Sequence, residues 1–162
     1  MGGRRVPAAA DEATLCWIVV DGEALLIEKK RGVGAGLYNA PGGKVESGET
    51  PRECAVRETE EEVSVTPTAP TRVGTLDFTF GDEPFMFVHV FRAADYDGTP
   101  SESSEARPVW CDVSDLPYDE MWEDDRYWVP HLLDGERFHG DAVFDADGDE
   151  LREWSLETGV PL

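Results

Sequence analysis

GGKVESGETPRECAVRETEEEVSV, residues 42–65, opens as a glycine turn and closes with Glu58, Glu60, Glu61 and Glu62, four carboxylates within five positions. Between these ends the grammar is helical. Thr50, Pro51 and Glu53 form a T-x-x-E capping box with proline at the first helical position, so the spacing predicts a helix from there to about Val63. Ala55, Val56, Thr59 and Val63 make the strip that would rest on a sheet, while Glu58, Glu61 and Glu62 stand at i, i+3 and i+4 on one side. Glu60 points elsewhere. Like charges at i, i+4 disfavour an isolated helix by roughly 0.2–0.5 kcal/mol per pair, so the cluster calls either for cheap solvation or for a cation. A hard divalent ion such as magnesium takes carboxylate oxygens and commonly bridges protein to substrate phosphates.

The composition keeps the solvated-face reading open beside the metal reading. Lys plus Arg number 14 against 35 Asp plus Glu in 162 residues, a formal charge of −21. Lys29, Lys30 and Lys44 are the lysines, and acidic residues fall on nearly every turn. Such a surface is fitted to concentrated salt, where screening removes most self-repulsion, and the expected location is a high-salt cytoplasm. It repels nucleic acid polymers and anionic lipid, since each phosphate contact needs a Lys or Arg. No apolar run reaches the 18 residues of a membrane span, and MGGRRVPAAADEA lacks the apolar core of a signal peptide. Cys16, Cys54 and Cys111 show neither even pairing nor metal-ligand spacing, which suits a reducing compartment. With 40% hydrophobic residues the chain builds one modest core: a flexible arm over residues 1–11, then a single domain over 12–162, expected as a monomer.

Working outward, the pattern reads as α/β. TLCWIVV (14–20) and EALLIE (23–28) straddle the Asp21-Gly22 turn as a hairpin or two consecutive strands. Gly32, Gly34 and Gly36 punctuate the loop before the opening motif, without the strand–helix frame of a dinucleotide site. RVGTLDFTF (72–80) and FMFVHVFR (85–92) form a second pair, followed by a polar excursion over 95–108 and the strand VWCDV. WEDDRYWVPHLLD (122–134) suggests a helix with Pro130 inside it, and Val143–Ala146 and Leu151–Ser155 flank Asp147-Gly148 as a terminal hairpin. His89 reads as a satisfied core histidine, and His131 and His139 belong to no metal constellation.

The opening segment resembles the Nudix hydrolase signature: glycine, five residues, Glu, seven residues, Arg-Glu, an apolar residue, any residue, Glu-Glu, any residue, glycine and an apolar residue. Gly43, Glu49, Arg57, Glu58, Glu61, Glu62 and Val65 fall into register. Thr59 replaces the aliphatic position and Ser64 the glycine after the helix; a left-handed backbone at Ser64 costs roughly 1–2 kcal/mol. The wider chain is similar to the branch of that family acting on oxidised purine nucleoside triphosphates, through residues 29–50, 82–91, 105–110 and 121–140. Leu37, Tyr38 and Ala106 depart from that branch, as does a loop before Phe80 shorter by one residue.

The resemblance implies a mixed β-sheet sandwiched between helices, the signature helix on one face and the later helix on the other. It implies water attack on the phosphate chain of a nucleoside triphosphate, giving nucleoside monophosphate and pyrophosphate, with Mg2+ as cofactor and Mn2+ as a substitute. The metal ligands it implies are Glu58, Glu61, Glu62, the carbonyl of Gly43, and Glu105. Among these carboxylates Glu61 is favoured as the group that activates water, and Arg57 is read as the partner of Glu49 or Glu61 that holds the motif's shape. The substrate contacts it implies are Thr14, Lys29, Asn39, Lys44, Phe78, Phe80, Trp122, Asp124, Asp125 and Trp128. Asn39 and the Asp124–Asp125 pair suit a purine edge if one carboxyl is protonated and the other ionised, in which case the three must share one cavity. Two other functions compete: hydrolysis of another nucleoside diphosphate derivative of the ADP-ribose type, and a non-catalytic Nudix-fold binding module. The second would have lost a metal carboxylate, and this chain keeps all three.

Overall fold

The computed structural model describes residues 10–32 and 35–162, so most of the N-terminal arm, and Gly34 of the glycine run, lie outside the described residues. Strand β1 (Asp11–Val20) and β2 (Glu23–Lys29) form the predicted pair around Asp21-Gly22, with β1 already begun at Asp11. Two short strands follow, β3 (Tyr38–Asn39) and β4 (Gly42–Lys44), and then helix α1 (Pro51–Val63). The capping box closes as read: Glu53 N–H donates to Thr50 Oγ1 at 3.1 Å, and Thr50 N–H to Glu53 Oε1 at 2.9 Å. Ser64 ends the helix in the left-handed region, φ 64°.

Strand β5 (Val65–Pro67) pairs with β8 (Tyr96–Gly98) as a small separate sheet within what the sequence shows as loop. The strands β6 (Thr71–Phe80) and β7 (Glu83–Ala93) form the second predicted antiparallel pair. After them come β9 (Ala106–Asp112), helix α2 (Asp125–Leu133), β10 (Phe138–Phe144) and β11 (Leu151–Thr158). Several boundaries differ from expectation. β9 starts three residues before Val109, α2 starts at Asp125 rather than 122, and β10 starts at Phe138 rather than Val143.

The strand order is β11-β10-β6-β7-β1-β2-β3, with β4 added to β1 and β9 to β2; β1–β7 and β6–β10 are parallel and the other pairs antiparallel. The far edge of β1 is divided. Ala13 to Leu15 pair with β4, while Val19 and Val20 pair with β2, so β1 and β2 diverge and leave a cleft where β3 and β4 cross. Side-chain alternation along β1 sends Trp17 to one face and Cys16 and Ile18 to the other. Trp17 joins Trp128, Val129 and Leu132 of α2, and Cys16 and Ile18 join Ala55 and Val63 of α1. The mixed sheet is thus sandwiched between the two helices.

Candidate active site

Arg57 organises the signature segment. Its Nε and Nη2 donate to the two oxygens of Glu49 at 2.6 and 2.9 Å, Nη1 reaches Glu58 at 2.8 Å and Glu61 at 3.2 Å, and Nη2 also donates to the carbonyl of Lys44 at 3.2 Å. A guanidinium fork meets this bidentate geometry where an ammonium would not. The Glu49 carboxyl is held down to about 2 by Arg57. Arg57 therefore serves Glu49 and Glu61 together, and ties the glycine turn to the helix.

The three signature glutamates have different surroundings. Glu62 is buried and accepts the Gly42 N–H at 2.8 Å; burial pushes its carboxyl up to about 7, against that hydrogen bond, and the Glu58 charge pushes the same way. Glu58 is also raised by burial, opposed by Arg57, and its carboxylate packs on the bare Cα of Gly43, where a Cβ would lie 2.4 Å from Glu58 Cδ. Glu61 is exposed and turned to Arg57. Among the described residues no three acidic, histidine or cysteine side chains converge as a metal cage. Arg57 Nη1 instead gathers Glu58 and Glu61 on one nitrogen. Glu60, as read, points away, accepting the Thr66 hydroxyl at 2.6 Å. Glu105 is paired with Arg31 at 2.9 Å, near enough to Glu62 for its charge to be felt there.

The cleft beside β1 widens into a cavity of about 350 Å³. Thr14, Lys29, Asn39, Lys44, Phe78, Phe80, Trp122, Asp124, Asp125 and Trp128 all line it, together with Gly43 and Glu62. Asn39, Asp124 and Asp125 do share one cavity. Glu58, Glu61, Arg57 and Glu105 do not line it. Gly42 lets β4 lie against β1, since a Cβ there would meet the Thr14 carbonyl oxygen at 1.9 Å. Thr14 is buried with its hydroxyl 3.3 Å from Cys54 Sγ, and the Lys44 ammonium sits 3.0 Å from Asp11 at the exposed rim. Asn39 Oδ1 accepts the Ala40 N–H at 2.8 Å, which leaves the amide NH2 as the group it can offer. Leu37 lines the cavity, whereas Ala106 is buried in the α1-side core.

At the other end stand Asp124, 0% exposed, and Asp125, 3% exposed. Their position at the start of α2 suits a surface acidic pair, yet they are buried. Asp124 Oδ2 accepts the Trp128 indole N–H at 2.8 Å, while Asp124 Oδ1 and Asp125 Oδ2 have no partner. Burial raises the Asp124 carboxyl to about 6; burial and the adjacent Asp124 charge raise Asp125 well above the usual range. Native interiors seldom leave such oxygens unpaired, and at a cavity wall they are what a ligand would satisfy.

Trp128 is wholly buried, edge-on to Trp17 and stacked on Phe138, so it acts more as the prop of Asp124 than as an open wall. Phe144, not singled out in the sequence, is the aromatic hub: Phe78 stacks on it at 6.3 Å, and Trp122 and Phe80 meet it edge-on at 5.8 Å each. Its only sequence signal is an apolar place at the end of FHGDAVF. His89 is held by Glu12 and Arg72, His139 by Thr75 and Asp141, and His131 by Glu136, as core or surface partners rather than ligands.

No helix among the described residues is long and apolar enough to cross a membrane. The NUDIX domain family model matches residues 11–132. The oxidized purine nucleoside triphosphate hydrolase of Danio rerio is 45% identical over 128 residues, covering 78% of this chain and 82% of that protein. The Mus musculus protein of the same description is 41% identical over 144 residues, 88% and 92% of the two chains. Among solved structures, a MutT protein from Bacillus halodurans superposes with a TM-score of 0.81 at 27% identity, covering 91% of this chain and 97% of that one. With the signature, the sandwich and these relatives in agreement, the chain belongs to the Nudix hydrolase family.

Proposed function

We propose that this enzyme hydrolyses oxidised purine nucleoside triphosphates to nucleoside monophosphate and pyrophosphate, with magnesium, as a single-domain monomer acting on free nucleotides in a high-salt cytoplasm. The observation that carries the reading is one cavity joining two chemistries. Its inner end offers aromatic walls and two buried, unpartnered carboxyl oxygens, and its outer end reaches Lys29, Lys44, Gly43 and the buried Glu62. The descriptions of the zebrafish and mouse relatives support the same substrate class.

At the base end, Asp125 is the carboxyl held neutral and donates, while Asp124 is ionised, accepts, and is oriented by the Trp128 N–H. Asn39 adds its NH2 along the same edge, and Phe78 and Trp122 cover the ring faces. At the phosphate end the donor set suits a hard cation. It is all oxygen, and Glu62 is a desolvated carboxylate that an adjacent positive charge would return to its ionised form. Glu58, Glu61, Glu62, the Gly43 carbonyl and Glu105 would hold magnesium, with manganese as a substitute. When bound, the ion neutralises phosphate oxygens and the charge of departing pyrophosphate. Lys29 and Lys44 add positive charge to the phosphate path, and Thr14 positions the sugar or base. Glu61 takes the proton as water oxygen bonds to phosphorus and the bond to pyrophosphate breaks. Arg57 holds Glu49, Glu58 and Glu61 in place for that step.

The test compares kcat/KM for 8-oxo-dGTP, 2-hydroxy-dATP and dGTP at molar salt with magnesium. Asp124→Asn removes the ionised acceptor, a loss of roughly 1.5–3 kcal/mol that lowers kcat/KM for the oxidised purine more than about tenfold. Asp125→Asn mimics the neutral donor and costs less. If neither substitution changes the ratio among the three bases, the pair does not read the purine and the substrate assignment fails.

A further inference from the structure

The cavity's aromatic end is closed by two hairpin tips that dock on each other. Gly81, in the β6–β7 turn, donates its N–H to the Phe144 carbonyl at 2.9 Å, and a Cβ on it would touch Ala146 at 3.4 Å. The β10–β11 turn is built on Asp145, whose carbonyl accepts Gly148 N–H at 3.0 Å and whose Oδ1 accepts Asp149 N–H at 2.8 Å. Gly148 has φ +78° and lies directly against Phe80: a Cβ there would stand 2.9 Å from Cε2 and 3.0 Å from Cζ. Phe80 is stacked on Phe85 with ring centroids 4.2 Å apart and planes within 9°, and both rings line the cavity.

We propose that Gly148 is a positioning residue for base recognition: its bare Cα sets where the stacked Phe80–Phe85 pair stands and so the width of the slot that takes the purine. The inference rests on reading this end of the cavity as the base site. Phe80, half-buried, is confined on two sides. Phe85 already lies at stacking distance on one side and Phe144 meets Phe80 edge-on at 5.8 Å, so a displaced ring moves into the cavity or drives Phe85 into it. The terminal hairpin thereby tunes which bases fit.

The test measures binding of 8-oxo-dGMP, dGMP, dCMP and inorganic pyrophosphate by calorimetry with magnesium, in the wild type, Gly148→Ala, Phe80→Leu and the double variant. Any side chain at Gly148 carries left-handed backbone strain, but that strain is common to both Phe80 backgrounds, so the cycle isolates the ring contact. Gly148→Ala is expected to weaken 8-oxo-dGMP binding about tenfold with pyrophosphate affinity within about twofold, and to add less than about twofold when Phe80 is already leucine. Gly148→Asn, which tolerates the left-handed backbone better, should show the same selective loss. Equal losses in both Phe80 backgrounds, equal weakening of pyrophosphate and mononucleotide, loss with Ala but not Asn, or no effect in a wild type that binds purine each overturn the inference alone. A wild type that binds no purine monophosphate overturns the base-site reading and this inference with it.

Discussion

At the scale of single residues, carboxylates adjacent in the chain have divergent surroundings, and two predictions rest on that. Glu61→Gln should leave the fold intact and lower kcat at least about 100-fold, because it removes charge from the set proposed to hold magnesium and activate water. Glu60→Gln, whose carboxylate accepts only the Thr66 hydroxyl, should leave kcat unchanged. Equal steady-state rates for Glu61→Gln and wild type at saturating magnesium would remove Glu61 from the mechanism. The second prediction concerns pH. Asp124 is raised from 3.8 to about 6 in the folded chain, so its contribution to stability is full below about 4 and lost as pH rises through about 6. Denaturant unfolding of wild type and Asp124→Asn between pH 4 and 8 should therefore show the wild type losing ground to the variant as pH rises from about 4 through about 6. A constant difference would mean that Asp124 does not titrate in the fold as its burial implies. That Asp124 and Asp125 are acidic was legible in the sequence; that they line a cavity rather than a solvated face followed only from the resemblance, since a helix N-terminus accommodates either.

At the scale of elements, α1 was legible almost to the residue, because capping is written locally: Thr50, Pro51 and Glu53 start it and Ser64 ends it. Ser64 also carries a cost. It adopts φ 64° where glycine is at ease, its exposed hydroxyl accepting only the Ser101 hydroxyl at 2.9 Å. Ser64→Gly should raise stability by about 1 kcal/mol, read as a higher unfolding midpoint with unchanged denaturant slope. A lower midpoint would show that the hydroxyl contact outweighs the backbone strain. By contrast β3, β4, β5 and β8 escaped the reading. Strands of two or three residues have no period to detect, and β4 exists because Gly42 and Gly43 can lie flat against Thr14 and Glu58. β10 was placed too late for a different reason: its buried face is Phe138, Gly140, Ala142 and Phe144, and a glycine and an alanine at its centre, with His139 and Asp141 between, give the start of FHGDAVF little apolar signal.

At the scale of the whole molecule, we propose that the −21 charge fits the protein to a high-salt regime without specifying the fold. Lowering potassium chloride from about 1 M to about 0.1 M lengthens the Debye distance from about 3 Å to about 10 Å and exposes repulsion among surface carboxylates. The unfolding midpoint should fall on that change with magnesium held constant; an unchanged or higher midpoint at low salt contradicts a high-salt adaptation. On the proposed metal site, magnesium should raise the unfolding midpoint beyond its contribution to ionic strength, since a ligand of the folded state alone stabilises it.

By itself the sequence determined what is encoded over short distances: the capping box and its helix, the Asp21-Gly22 and Asp147-Gly148 turns, the spacing that put Arg57 between Glu49 and Glu61, and the charge of the surface. These depend on neighbours a few positions apart, where backbone geometry allows few outcomes. The tertiary structure alone decided the parallel pairings β1–β7 and β6–β10, the divergence of β1 from β2 that opens the cavity, and the meeting of Phe144 with Phe78, Phe80 and Trp122. It also decided which carboxylates are desolvated. Burial is a property of everything packed around a side chain, and the residues that bury Asp124, Asp125 and Glu62 come from strands and loops far apart in the chain.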